Sequence, residues 1–182
     1  VKLLKATKEV LERAKELITF IDTPSTKLVS KLSMSSTWYS KNATLADLQK
    51  ISNAIFSVYS KYGTRDNFIF TAPKSLSDYS YIKKEKITRH ILNKRMPKDV
   101  NWIYCGTKAT NIWSHKTVAL HAYNRYVNTA IKAYLQDYGT PPNDDKFALS
   151  ELVQWVYRTQ IRDDKPIELC LMSLRMKNLL IE

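Results

Sequence analysis

Gln154, Arg158 and Arg162 fall four residues apart within ALSELVQWVYRTQIRDDKPIEL, residues 148–169. Spacing of four puts side chains on one helix face, so a helix here presents a glutamine and two arginines together. Arginine stays charged, and its planar fork matches the oxygens of a phosphate. Two arginines at the edge of a sheet suit phosphoryl transfer, where they stabilise the charge that develops on the transferred group. The glutamine would hold a water or a phosphate oxygen. The same residues also fit a solvated helix face whose arginine stems cover apolar neighbours. The pattern alone leaves both readings open.

Other chemistry is thinner. Gly63, Gly106 and Gly139 are the only glycines. A phosphate-cradling loop or a dinucleotide fingerprint needs several close together, so this chain alone does not bind a nucleotide in that way. His115 and His121 are six apart, on different helix faces, and no Cys, Asp or Glu complements them at ligand spacing. No metal site is expected. Cys105 beside a histidine is in principle a nucleophile pair. Both Cys105 and Cys170, however, sit in apolar runs that read as buried strands, where a thiol is inert. Asp144-Asp145 and Asp163-Asp164 lie in turn-forming sequence and suit capping rather than acid–base work.

The 182 residues carry a formal charge of +12, which favours a polyanionic partner, above all nucleic acid. A lysine-rich surface without a partner is the plainer alternative. Residues 74–98 concentrate the charge, with Lys74, Lys83 and Lys84 beside Tyr79 and Tyr81. Aromatics among cations stack bases and grip phosphates, although an ordinary solvated helix has the same composition. Two thiols without close spacing fit neither zinc nor a disulfide framework, so a reducing cytoplasm is expected. No apolar run reaches about 18 residues, and no membrane contact is expected.

The elements that must position these residues follow from periodicity. Residues 1–22 have the spacing of an amphipathic helix, ended by Thr23-Pro24-Ser25. Thr44 with Asp47 forms a capping-box pattern opening a helix that stops near Gly63. Residues 67–72, 100–105 and 167–172 read as short buried strands. Helices are expected around 83–95, over 116–138 with a stop at Gly139, through the glutamine–arginine stretch, and over 173–182. Strands separated by helices argue for an α/β fold, a parallel sheet flanked by helices. Ligands of such sheets sit outside the carboxyl ends of the strands, and GTKATN, 106–111, lies at one such end. Two regions are expected: a helical appendage or layer over 1–64, and the sheet domain over 65–182.

The stretch QWVYRTQIRDDKPIEL resembles the second, C-terminal, RecA-like domain of superfamily 2 helicases, closest to helicase-like proteins of phages and other mobile elements. In that family a helix carries a glutamine and two arginines and leads into the last strands. Gln154 and Arg158 match the glutamine and the first arginine. The second family arginine lies seven after the glutamine; here Ile161 holds that place and Arg162 follows. NFIFTAPKSL is similar to the domain's opening strand, and GTKATN to the loop joining nucleic-acid contact to the nucleotide site. The resemblance covers roughly 67–182.

It implies a lobe of a DNA-dependent ATPase or helicase without its own P-loop, in which Gln154, Arg158 and Arg162 act at the ATP site. Lys74, Lys83, Lys84, Lys108, Thr110 and Asn111 would form part of the nucleic-acid track. ATP and magnesium would be held mainly by a separate N-terminal lobe of the same protein, the implied partner besides DNA. The opening Val1 and the final LLIE suggest an excised piece, which by itself would bind no cofactor and hydrolyse no ATP. The rival expectation is a stand-alone basic module that binds nucleic acid or protein without catalysis.

Overall fold

The computed structural model describes residues 2–76, 91, 93–97, 99–107 and 111–182. Its core is a five-stranded sheet in the order β1-β5-β4-β2-β3, with every neighbouring pair parallel. The strands are β1 (Ile18–Phe20), β2 (Phe68–Thr71), β3 (Asn101–Trp102), β4 (Val118–His121) and β5 (Ile167–Leu171). Every residue of β2 and β4 is buried, as parallel strands covered on both faces require. The α/β architecture read from the sequence is the one observed.

Alternation along the strands divides the core in two. Phe68, Phe70, Val118 and Leu120 face a layer built by α2 (Pro24–Val29) and α3 (Leu45–Tyr62). Ile69, Ala119 and Leu169 face the other layer, built by α1 (Lys2–Leu17), α5 (Asp144–Val156) and α6 (Leu174–Ile181). The reciprocal cap at the start of α3 forms as expected: Asp47 N donates to Thr44 Oγ1 and Thr44 N to Asp47 Oδ2, each at 3.1 Å. The Thr44 hydroxyl, donating to Asp47 Oδ2 at 2.7 Å, and then the Thr44 backbone N–H hold the Asp47 carboxyl below its usual range. α3 stops at Gly63, where room for a side chain is short: a Cβ there would lie 3.0 Å from Phe68 Cδ2.

Two strands replace expected helix. Ile18–Phe20 continues the helical period of the first segment, yet it lies along β5, with Thr19 opposite Glu168. Residues 118–121 are not the start of a helix over 116–138. They form β4, seated between β2 and β5. The helix begins only at Thr129, as α4 (Thr129–Asp137). Three buried apolar residues and a buried histidine satisfy either period, and pairing on both sides decides for strand. Gly139 ends α4 at φ +72°, as expected for a helix stop. The expected helix around 83–95 falls largely outside the described residues. Among those described, no helix is long and apolar enough to cross a membrane.

Candidate functional site

The glutamine and the arginines do not share a helix face. Asn143 caps α5 by accepting from Asp145 N and Lys146 N, and Trp155 anchors its far end, Nε1 donating to Ile103 O at 2.9 Å. The helix stops at Val156. Thr159 Oγ1 donates to Val156 O at 2.7 Å, and Gln160 N donates to Lys116 O at 3.1 Å, drawing the chain toward the start of β4. A 3-10 turn over Gln160–Asp163 follows. Gln154 is left exposed, donating to Ser150 Oγ at 3.1 Å.

Arg158 and Arg162 instead converge on the loop after β3. Arg158 is half-buried and its Nη2 donates to Thr107 O at 2.5 Å. Its Nε and Nη1 are buried without a hydrogen-bond partner among the described residues, and burial works against its charge. The exposed Arg162 donates through Nη1 to Asn111 Oδ1. The structure thus joins two expected arginines to the expected loop, and separates Gln154 from them. Arg162 lies toward the amino edge of the sheet, in the turn whose Gln160 N donates to Lys116 O just before β4. Lys74 follows β2 at the opposite, carboxyl edge, its Nζ 5.8 Å from the Tyr104 ring centroid. Lys83, Lys84, Lys108 and Thr110 lie outside the described residues.

The carboxyl edge has its own chemistry. The chain leaves β2 for β3 on one side and returns past β2 to β4 on the other, so the switch point lies between β2 and β4. There Cys105 Sγ sits 3.7 Å from both Thr71 Oγ1 and His121 Nε2. Burial, then the charge of Arg125, pushes the fully buried His121 down to about 3. Burial pushes the Cys105 thiol up. A neutral thiol beside a neutral imidazole is a packing contact with a weak hydrogen bond, not an activated nucleophile. Among the described residues, no group of three or more His, Cys, Asp or Glu is placed to hold a metal.

Beyond β4 the chain runs as an extended strap, 122–128, along a cleft of about 800 Å³. Asn124 fixes the strap: its backbone N donates to Met34 O at 2.9 Å, and its Nδ2 donates to Ser33 O at 3.1 Å. Arg175, in the first turn of α6, donates to Asn124 Oδ1 and Arg125 O, each at 2.8 Å. Arg125 pairs with Glu151 at 2.7 Å and Lys132 with Asp144 at 2.5 Å. The Lys132 ammonium holds the Asp144 carboxyl below its usual range. Sequence reasoning missed this cleft by placing its strap inside a helix. The usable signal was YNRYVN, 123–128, where β-branched, aromatic and Asn residues all disfavour helix.

A family model described as the YonV C-terminal Rossmann-like domain matches residues 12–182. Over 81 residues the chain is 42% identical to the SPbeta prophage-derived uncharacterized protein YonV of Bacillus subtilis (strain 168). That alignment takes in 44% of this chain and 20% of the relative, so the chain matches about a fifth of that protein's length. No solved structure matches. The comparisons support a Rossmann-like domain, coarser than the helicase lobe of the resemblance. The parallel sheet, its switch point and a match running through nearly the whole chain agree: the chain belongs to the YonV C-terminal Rossmann-like domain family.

Proposed function

We propose that this domain is a nucleic-acid-binding lobe of a larger mobile-element protein, and specifically the C-terminal lobe of a DNA-dependent ATPase or helicase. The observation that carries the reading is the pairing of both arginines with one loop, Arg158 with Thr107 and Arg162 with Asn111. In a motor, one element reads a phosphate and another touches nucleic acid, and the two must be coupled. A phosphate oxygen competes with Thr107 O and Asn111 Oδ1 for the same N–H groups, and charge-assisted bonds are the stronger kind. Arrival of a phosphate at the arginines would therefore release the loop. ATP and magnesium would be held mainly by another lobe; what this chain supplies is the pair of guanidinium groups.

The test is Arg158→Ala in the intact protein. DNA-stimulated ATP turnover is expected to fall by at least about a hundredfold, the scale for losing one group that stabilises transition-state charge. ATP binding is expected to persist. Unchanged turnover rules out the arginine assignment.

A second reading is favoured by a different observation: α5 ends before Arg158, Gln154 turns away, and Arg162 lies toward the amino edge of the sheet. These positions suit a basic nucleic-acid-binding module without catalysis. That module predicts tight, steeply salt-dependent DNA binding by the isolated domain, whereas the ATPase lobe alone binds weakly.

A further inference from the structure

We infer that the cleft at the carboxyl end of β4 takes the flat, uncharged ring of a nucleobase, an inference that rests on the nucleic-acid-binding half of the reading above. Its volume of about 800 Å³ falls in the range of about 300–1,000 Å³ for small-ligand sites. Its place beside the switch point is where sheets of this topology hold ligands.

The charges in the cleft decide what kind of ligand. Arg125 and Lys132 are already paired with Glu151 and Asp144. A bare phosphate would have to displace a carboxylate, whereas an uncharged ring would not. The cleft offers ring faces instead. The Arg125 guanidinium stands 5.0 Å from the Tyr123 ring and 5.6 Å from the Phe147 ring, so three planar groups cluster in its lining. Planar groups of this kind stack on nucleobases without regard to sequence. Hydrogen-bonding groups for a base edge come from Ser35, Thr37 and Asn128.

The outer wall extends the same chemistry. Helix α4 buries none of its residues. Tyr134 and Tyr138 are 60% and 70% exposed, with ring centroids 4.7 Å apart. A helix held to its domain by so little has an aromatic surface available to neighbouring bases, while the net charge of +12 attracts their phosphates. The ring has two possible sources, a free nucleotide and an unpaired base of a single strand, and the experiment separates them.

The experiment is isotope-edited NMR of this chain with adenosine, adenosine monophosphate, a short single-stranded oligonucleotide and its duplex as probes. Adenosine and its monophosphate are expected to shift signals of residues 123–132 and 35–37 alike, because the ring and not the phosphate is read. The single strand is expected to shift the same signals and bind at least about tenfold more tightly than adenosine, and the duplex to leave them unmoved. Ser36→Trp, which fills the rim from an exposed position, is expected to abolish these shifts with an unchanged melting temperature. Thr37→Trp serves if that variant fails to fold. Shifts with the free compounds alone keep the ring site and identify a free nucleotide as its source. No shift with any probe overturns the inference, as does undiminished strand binding by the rim variant. Strand binding that moves only other residues overturns the cleft while the nucleic-acid reading stands. Retained turnover in the Arg158→Ala protein would sink the ATPase reading without touching this one.

Discussion

The guanidinium of Arg158 donates to the carbonyl of Thr107 at 2.5 Å while its Nε and Nη1 stay buried without a partner among the described residues. One bond for a half-buried cation is a poor return for folding alone. A group without its partners costs about 1–3 kcal/mol, and more when charged, so Arg158 is held in a state that an incoming acceptor would improve. Such local dissatisfaction is common where function outweighs stability.

Arg158→Met should therefore uncouple stability from function. The methionine keeps the packing of the stem and removes the charge. Urea unfolding of the domain is expected to show no loss, or a gain of about 1 kcal/mol, while DNA-stimulated turnover of the intact protein falls as in Arg158→Ala. A loss of more than about 2 kcal/mol would mark Arg158 as a structural staple of the Thr107 loop.

Much of the sheet was legible because its centre is punctuated. Phe68–Thr71 is a buried run closed shortly after by Pro73, and Ile167–Leu171 begins just after Pro166. Ile18–Phe20 and Val118–His121 were not legible, since strands of three or four residues merge with the helical period beside them. The reach of Arg158 to Thr107 lies in no local pattern. It arises because β4 pairs with both β2 and β5, which brings the turn before β5 against the loop before β4. The Cys105–His121 contact depends on the register that sets Thr71 opposite His121.

Buried His121 makes the domain sensitive to acid. Its folded pKa, about 3, lies below the ordinary 6.5 of an exposed imidazole, so the unfolded chain binds the proton more readily. The stabilisation is complete above about 6.5 and is lost as pH falls from there toward 3. Between those limits its slope approaches about 1.4 kcal/mol per pH unit. Most carboxylates titrate below this window's upper half, so a fall in stability from pH 6.5 to 5 is assigned to His121. In His121→Asn that fall is expected to flatten, read by urea unfolding at several pH values. An unchanged slope would place the acid sensitivity elsewhere.

Asn124 is where the strap depends most on a single side chain. It joins the 33–34 loop, the strap and Arg175 at the start of α6, donating to Ser33 O at 3.1 Å and accepting from Arg175 Nη1 at 2.8 Å. Asn124→Ala removes these two side-chain bonds and the longer one from Nδ2 to the Tyr126 hydroxyl at 3.4 Å, and leaves a carbonyl and a guanidinium N–H short of a partner, a cost of about 1–3 kcal/mol. The backbone bond to Met34 O survives, so the strap is expected to loosen rather than detach. Hydrogen exchange should then rise over residues 123–128 and at the start of α4, while β2 and β5 keep their protection. Asn124→Asp tests the same joint differently: it loses the bond to Ser33 O but strengthens the one from Arg175, and its loss should be smaller than that of alanine. Equal losses in the two variants would mean that the Ser33 bond alone holds the strap, and that Arg175 acts through Arg125 O and the carboxylate of Asp145 instead.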